Sequence, residues 1–98
     1  MLLYQVQISV EAATEQAWLQ WMKTVHIPDL LATGLLSGHH VWKEQSDSPT
    51  PLYYFNYYFP NQAAFDRYQT DHAPRLKAHP VELFAGKFSA NRKVFLTA

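Results

Sequence analysis

Leu2, Tyr4, Val6, Ile8 and Val10 alternate with Leu3, Gln5, Gln7 and Ser9. A period of two predicts a strand with one apolar face and one mostly polar face. From Ala12 the period changes. Trp18, Trp21, Met22 and Val25 fall at i, i+3, i+4 and i+7, the spacing of one side of a helix. Glu11 or Thr14 is placed to begin that helix and Pro28 to end it, with a short further turn over Asp29 to Thr33 before Gly34. A second strand is predicted from Ser37 to Gln45. The run Ser46-Asp47-Ser48-Pro49-Thr50-Pro51 is rich in turn formers and reads as a loop. Leu52 to Phe59 follows, aromatic or apolar on both faces apart from Asn56, as a strand covered on both sides would be. Pro60-Asn61 stops it. Phe65, Tyr68 and His72 at i, i+3 and i+7 mark a second helix. Arg75 to Phe84 continues helically after Pro74, interrupted by Pro80, and Gly86 opens a last strand from Lys87 to Leu96.

The resulting order, β-α-β-β-α-β, is two β-α-β units with right-handed crossovers. It predicts an α+β, ferredoxin-like fold: a four-stranded antiparallel sheet with the first and third strands central and both helices on one face. The two-sided aromatic strand is the third, which agrees with a central position. Its aromatic residues on the helix-free side predict a covering partner. A second copy related by two-fold symmetry, packing sheet against sheet, supplies it.

Composition sharpens this picture. The 98 residues suffice for one domain, spanning 1–98. Eight basic and eight acidic residues cancel, and neither sign forms a run. Nucleic acid is therefore not an expected partner, because binding it needs a basic face. With no cysteine, disulfides, thiolate metal sites and a cysteine nucleophile are excluded. The start, Met1-Leu2-Leu3-Tyr4-Gln5, lacks a basic segment and turns polar too early for a signal peptide. No apolar stretch approaches membrane-spanning length, so no membrane partner and a cytoplasmic location are expected.

Candidate chemistry centres on a repeated turn. His26-Ile27-Pro28-Asp29 closes the first predicted helix and His72-Ala73-Pro74-Arg75 the second. Histidine at a helix C-terminus meets the negative end of the dipole and proline blocks continuation, so capping is one role for both motifs. Register adds another. His26 lies four residues after Met22, and His72 four after Tyr68, which turns both imidazoles toward the gap between helices and sheet. Imidazole titrates near neutrality and serves there as acid, base or hydrogen-bonding group. Arg92 falls on the helix-facing side of the last strand and needs an acceptor, water or a ligand anion. Asp29 and Glu82 are its candidate partners within the chain. His26 and His72 are thus the candidate catalytic pair, with Asp29, Arg75, Arg92 and Tyr54 as candidate substrate contacts. His39 and His40 are adjacent in a strand and face opposite ways, so they cannot chelate one metal together. No metal and no cofactor is expected, and no phosphate loop or nucleophile elbow is present.

Several separated motifs carry a family resemblance in order: Trp18-x-x-Trp21-Met22, His26-Ile27-Pro28-Asp29, Leu31-Ala32-Thr33-Gly34, His72-Ala73-Pro74-Arg75-Leu76, Gly86-Lys87-Phe88 and Arg92. They resemble the DUF4286 family of bacterial proteins along essentially the whole chain, a family of unknown function. More distantly, the layout is similar to the dimeric α/β-barrel group. That group includes cofactor-free antibiotic-biosynthesis monooxygenases, EthD-like proteins, muconolactone isomerases and haem-degrading enzymes. His26-Ile27-Pro28 resembles the His-x-Pro that closes the first helix in EthD-like members.

Two functions follow as expectations. In the first, a homodimer binds a small organic molecule, anionic where Arg92 meets it, between helices and sheet, with acid–base chemistry by His26 or His72. In the second, the protein is a non-enzymatic binding or assembly module in which the His-x-Pro turns are structural. The first expects a cavity beside the histidines, the second a filled core and Arg92 paired within the protein.

Overall fold

The alternation at the start of the chain becomes β1, Leu2–Val10, whose even-numbered residues are buried and odd-numbered ones half-buried. The computed structural model describes all residues from Met1 to Ala98. Three more strands, β2 (Gly38–Lys43), β3 (Leu52–Phe59) and β4 (Phe88–Leu96), complete one antiparallel sheet in the order β2-β3-β1-β4. The central places of the first and third strands, and the ferredoxin-like α+β fold, are those expected. Register sets the faces: Leu2 stands opposite Phe59 and Leu96, Tyr4 opposite Tyr57 and Val94, Val6 opposite Phe55 and Arg92.

The helical segments differ in an instructive way from the sequence reading. Pro28 does not end the first helix. A short 3₁₀ turn over Ala12–Thr14 leads into α1, Glu15–Trp21, then a π turn over Met22–His26, then α2, Ile27–Leu31. The physical reason is local. Proline lacks an N–H, and its ring clashes with the carbonyl four residues back in a regular helix. The π turn widens the ladder so that the Ile27 N–H reaches the Met22 carbonyl, and Pro28 falls in the first turn of the next segment, where a missing N–H costs nothing. Gly34, at φ +74, then supplies the left-handed residue that turns the chain toward β2.

The second motif repeats that placement. α3, Gln62–Asp71, begins at Asn61, whose side chain accepts from the Ala64 N–H at 2.9 Å. His72 at φ −128° breaks the helix, and α4 runs from Ala73 to Phe84 with Pro74 in its first turn. Pro80 does not interrupt it. Both His-x-Pro motifs are therefore helix restarts rather than stops, with proline at the second helical position each time.

All helices pack on one face of the sheet. Trp18, Met22, Ile27 and Leu30 from the first helical run, and Phe65, Tyr68, Ala73 and Leu76 from the second, join the even residues of β1 and Tyr53, Phe55, Tyr57 and Phe59 of β3 in one core. The opposite face carries no helix. Its centre is polar, with the Gln5 amide donating to the Asn56 side-chain oxygen at 3.0 Å. Around that pair stand Leu3, Tyr54 and Tyr58, with the more exposed His40, Trp42 and Phe95.

Candidate functional site

Between the helical layer and the sheet lies a narrow cavity of about 50 Å³. Trp18, Met22, His26 and Leu30 wall one side, Tyr4, Val6, Ile8 and Tyr57 the floor, and Tyr68, Leu76, Lys77, Pro80 and Val81 the side formed by α3 and α4. Phe88, Ala90 and Arg92 of β4 border it along the edge of the sheet. The π turn matters here. It sets His26 between α1 and α2, its ring stacked on Trp21 with centroids 5.6 Å apart and planes 27° apart.

Three buried side-chain polar atoms have no protein partner: Trp18 Nε1, His26 Nδ1 and the Tyr57 hydroxyl. All three belong to residues of this cavity. Folded proteins satisfy nearly all such groups, and leaving one unmet costs about 1–3 kcal/mol. Their concentration around a single cavity is the main chemical signal in the molecule.

Electrostatics define what these groups can do. Burial lowers the His26 imidazole to about 4, with the His79 and Arg92 charges adding to the effect and Asp29 opposing it. His26 is thus a neutral ring at physiological pH, with one nitrogen free to accept and the other to donate, according to tautomer. A base this weak is available as an acceptor throughout the neutral range but has little thermodynamic pull on a proton. Burial raises the Tyr4, Tyr57 and Tyr68 hydroxyls, and the Arg92 guanidinium pulls Tyr4 and Tyr68 partly back. The three phenols form one group on the cavity floor and wall, with the Tyr4 ring 6.3 Å from Tyr57 and 6.1 Å from Tyr68. All stay protonated and able to donate.

Of the residues expected from sequence, the cavity brings together His26 and Arg92. His72 is half-buried at the junction of α3 and α4 and does not line it. The broken helix there voids the seven-residue extrapolation from Phe65. Asp29 and Arg75 line a separate shallow groove with Ala78, His79 and Glu82. Tyr54 lies on the helix-free face, its hydroxyl donating to Glu44 at 2.9 Å. Arg92 is exposed and takes neither Asp29 nor Glu82 as partner; the ion pairs of the chain are Lys43–Glu15, Arg67–Asp71 and Lys87–Glu11. No cluster of three or more His, Asp or Glu side chains has metal-binding geometry.

Sequence reasoning missed His79, Lys77 and the tyrosine trio. His79 packs edge-on to Trp21 with centroids 5.0 Å apart, so Trp21 sits between two imidazoles. Arg75, His79 and Glu82 share a helix face by their spacing of four and three. That face is legible only when α4 is allowed to run through Pro80. The Tyr4–Tyr57 pairing follows from the sheet register, which the strand patterns do not state.

Residues 1–97 match the family described as "Domain of unknown function (DUF4286)". The chain belongs to DUF4286. This bears out the family resemblance carried by the sequence motifs, and the match takes in every cavity residue. A search of curated proteins finds no match. Among solved structures, the DUF4286 chain is similar to HapK from Hahella chejuensis, with a TM-score of 0.72 and 17% identity over 100% of this chain and 93% of that one. It is also similar to an EthD family protein from Bacillus halodurans C-125, with a TM-score of 0.68 and 18% identity, each chain covered in full at 100%. A dimeric ferredoxin-like protein from an uncultured marine organism gives a TM-score of 0.68 at 13% identity, over 100% of this chain and 97% of that one. At these identities the likeness is one of fold. No helix of this chain is long and apolar enough to cross a membrane.

Proposed function

We propose that this DUF4286 protein binds a small organic molecule in the cavity between its helices and sheet. His26 acts there as a neutral hydrogen-bonding group and general base, and Arg92 recognises an anionic substituent at the cavity edge. The observation that carries this reading is the gathering of Trp18 Nε1, His26 Nδ1 and the Tyr57 hydroxyl, each without a protein partner, around one cavity. An apolar pocket with a few convergent polar groups is the usual form of a small-molecule site. Arg92, free of internal ion pairs, supports the anionic part of the reading. Acid–base work by His26 is limited by its weak basicity to protons already acidified by a neighbouring carbonyl or similar group.

A thermal-shift screen of small organic acids and neutral analogues tests this. Arg92→Ala should weaken anionic hits about tenfold or more, since a hydrogen bond to a charged group contributes about 1.5–3 kcal/mol. Tyr57→Phe should raise the melting temperature of the free protein, by removing an unmet buried hydroxyl, while reducing the shift that hits produce. His72→Ala should leave the hits unchanged. Hits that respond to His72→Ala but not to His26→Ala, Arg92→Ala or Tyr57→Phe would place the site elsewhere.

The same reading includes a homodimer through the helix-free face. Trp42 at 59% and Phe95 at 46% exposure are large apolar side chains on that face, beside Leu3, Tyr54 and Tyr58. Light scattering should give twice the chain mass at micromolar concentration, and the paired change Trp42→Lys with Phe95→Lys should return a folded monomer. A wild-type monomer under those conditions removes the dimer from the proposal.

A further inference from the structure

The cavity is not sealed. It shares Val81, Phe88, Ala90 and Arg92 with a surface groove of about 260 Å³ that runs between α4 and β4. Through these shared residues the two spaces are continuous, so a ligand can lie partly inside and partly in the mouth. Their chemistry is uneven along that path. Arg92 stands at the shared stretch and Lys77 also borders the cavity, while neither space is lined by any Asp or Glu. In a chain of zero net charge, this is a local excess of positive charge. The inner wall is aromatic and ends on groups that lack partners. Trp18, at 0% exposure, carries an indole N–H that can only donate, and Tyr57, at 2%, carries a hydroxyl that can donate. A ligand that meets them must bring an accepting oxygen to the inner end. Water could serve each alone, but the same wall is otherwise apolar and favours an apolar body.

We infer that the ligand is a small, flat organic carboxylate bearing a carbonyl-type oxygen at the end remote from its carboxylate, entering between α4 and β4. This deepens the binding function proposed above and rests on it. The carboxylate stays at the mouth, where the guanidinium of Arg92 matches it with two parallel hydrogen bonds, while Lys77, which borders the cavity, adds positive charge nearby. The ring replaces water against Val6, Ile8, Phe88 and the tyrosines. The remote oxygen accepts from Trp18 Nε1 and the Tyr57 hydroxyl. Selectivity against a purely apolar acid then comes from leaving those two donors unmet, which a site built to hydrogen-bond its ligand penalises strongly.

Three probes of one shape separate the parts: para-acetylbenzoate, para-ethylbenzoate, which lacks the carbonyl, and para-methylacetophenone, which lacks the carboxylate. Titrations followed by ¹⁵N–¹H correlation spectra of the full chain should show para-acetylbenzoate binding about tenfold more tightly than either analogue, the worth of one good hydrogen-bonded contact. Arg92→Gln should erase its advantage over para-methylacetophenone while keeping the advantage over para-ethylbenzoate. Trp18→Phe should do the reverse, and Tyr57→Phe, a milder change to the core, gives the same readout should the first variant fold poorly. Equal affinity of all three probes, with shifts at cavity residues, overturns the ligand class and leaves the cavity as a binding site. Absence of shifts at cavity residues with every probe at about 10 mM, ten times the dissociation constant of a weak fragment, overturns the site itself.

Discussion

Trp18→Ala is expected to remove about 3–5 kcal/mol of stability, the range for truncating a large buried aromatic residue. Trp18 is fully buried, its ring 5.2 Å from Tyr53 and 5.7 Å from Phe55 in edge-on contacts. It is the side chain through which α1 grips β3, and no neighbouring backbone can move in to fill its place without shifting the helix off the sheet. Domains of this size have about 5–15 kcal/mol to lose. The melting temperature should therefore fall by more than about 12 °C, at about 4–8 °C per kcal/mol for a small domain. Trp21→Ala makes the matching control. Trp21 is half-buried and touches His26, His79 and Phe84 rather than the sheet, so its loss should cost less, about 1–2 kcal/mol. Chemical denaturation of the two variants decides the matter; a smaller effect for Trp18 than for Trp21 would mean that the helical layer is held to the sheet by something other than this contact.

Acidification should weaken the fold through His26 before it reaches the carboxylates. The imidazole titrates at about 4 in the folded chain against 6.5 when exposed. Between those values the unfolded chain binds a proton that the folded chain refuses, so stability rises with pH across that window and is lost as pH falls through it. Linkage puts the loss from this group at about 2 kcal/mol between about pH 7 and about pH 5, approaching 3 kcal/mol near pH 4. Glu15, lowered by its hydrogen bonds from Lys43 and Tyr53, adds its own loss below the ordinary carboxylate range. The interval from about pH 7 to about pH 5 therefore isolates the histidine. Urea denaturation at the two ends of that interval should show the slope in the wild type and a much reduced slope in His26→Phe. An unchanged slope in the variant would assign the pH dependence to another histidine. The dominant cause is burial, and that burial is what places His26 in the cavity wall.

Strand patterns were legible because their physics is local. Alternation in β1 states which residues face the core, and the run of aromatic residues on both faces of β3, broken only at Asn56, states that the strand is central. The His-x-Pro motifs were legible as special positions but misread as helix stops. Proline excludes a regular helical bond at its own nitrogen, and two structures satisfy that exclusion: an end, or a widened turn followed by a new first turn. The local sequence around Pro28 and Pro74 permits both, and packing of Ile27, Leu30, Ala73 and Leu76 into the core selects the second. The site followed the same division. His26 and Arg92 stand beside the cavity, where register along continuous elements put them. His72 falls away from the cavity because its register crosses a break, and His79 was overlooked because the helix face it shares with Arg75 is completed only by Glu82, beyond a proline that the helix in fact tolerates.

What the sequence by itself determined, then, was the identity of the strands, their faces, the order β-α-β-β-α-β and the two histidine–proline junctions. All of these depend on residues within a few positions of one another. The tertiary structure alone decided that Tyr4 meets Tyr57 across two strands and Tyr68 from above. It also decided that Arg92 borders the cavity without an ion-pair partner in the chain, and that the three residues with unmet polar atoms line one space. Those facts join residues far apart in the chain, and their positions are set by sheet register and helix packing. No local pattern encodes the distance between two side chains that meet only because the core has closed around them.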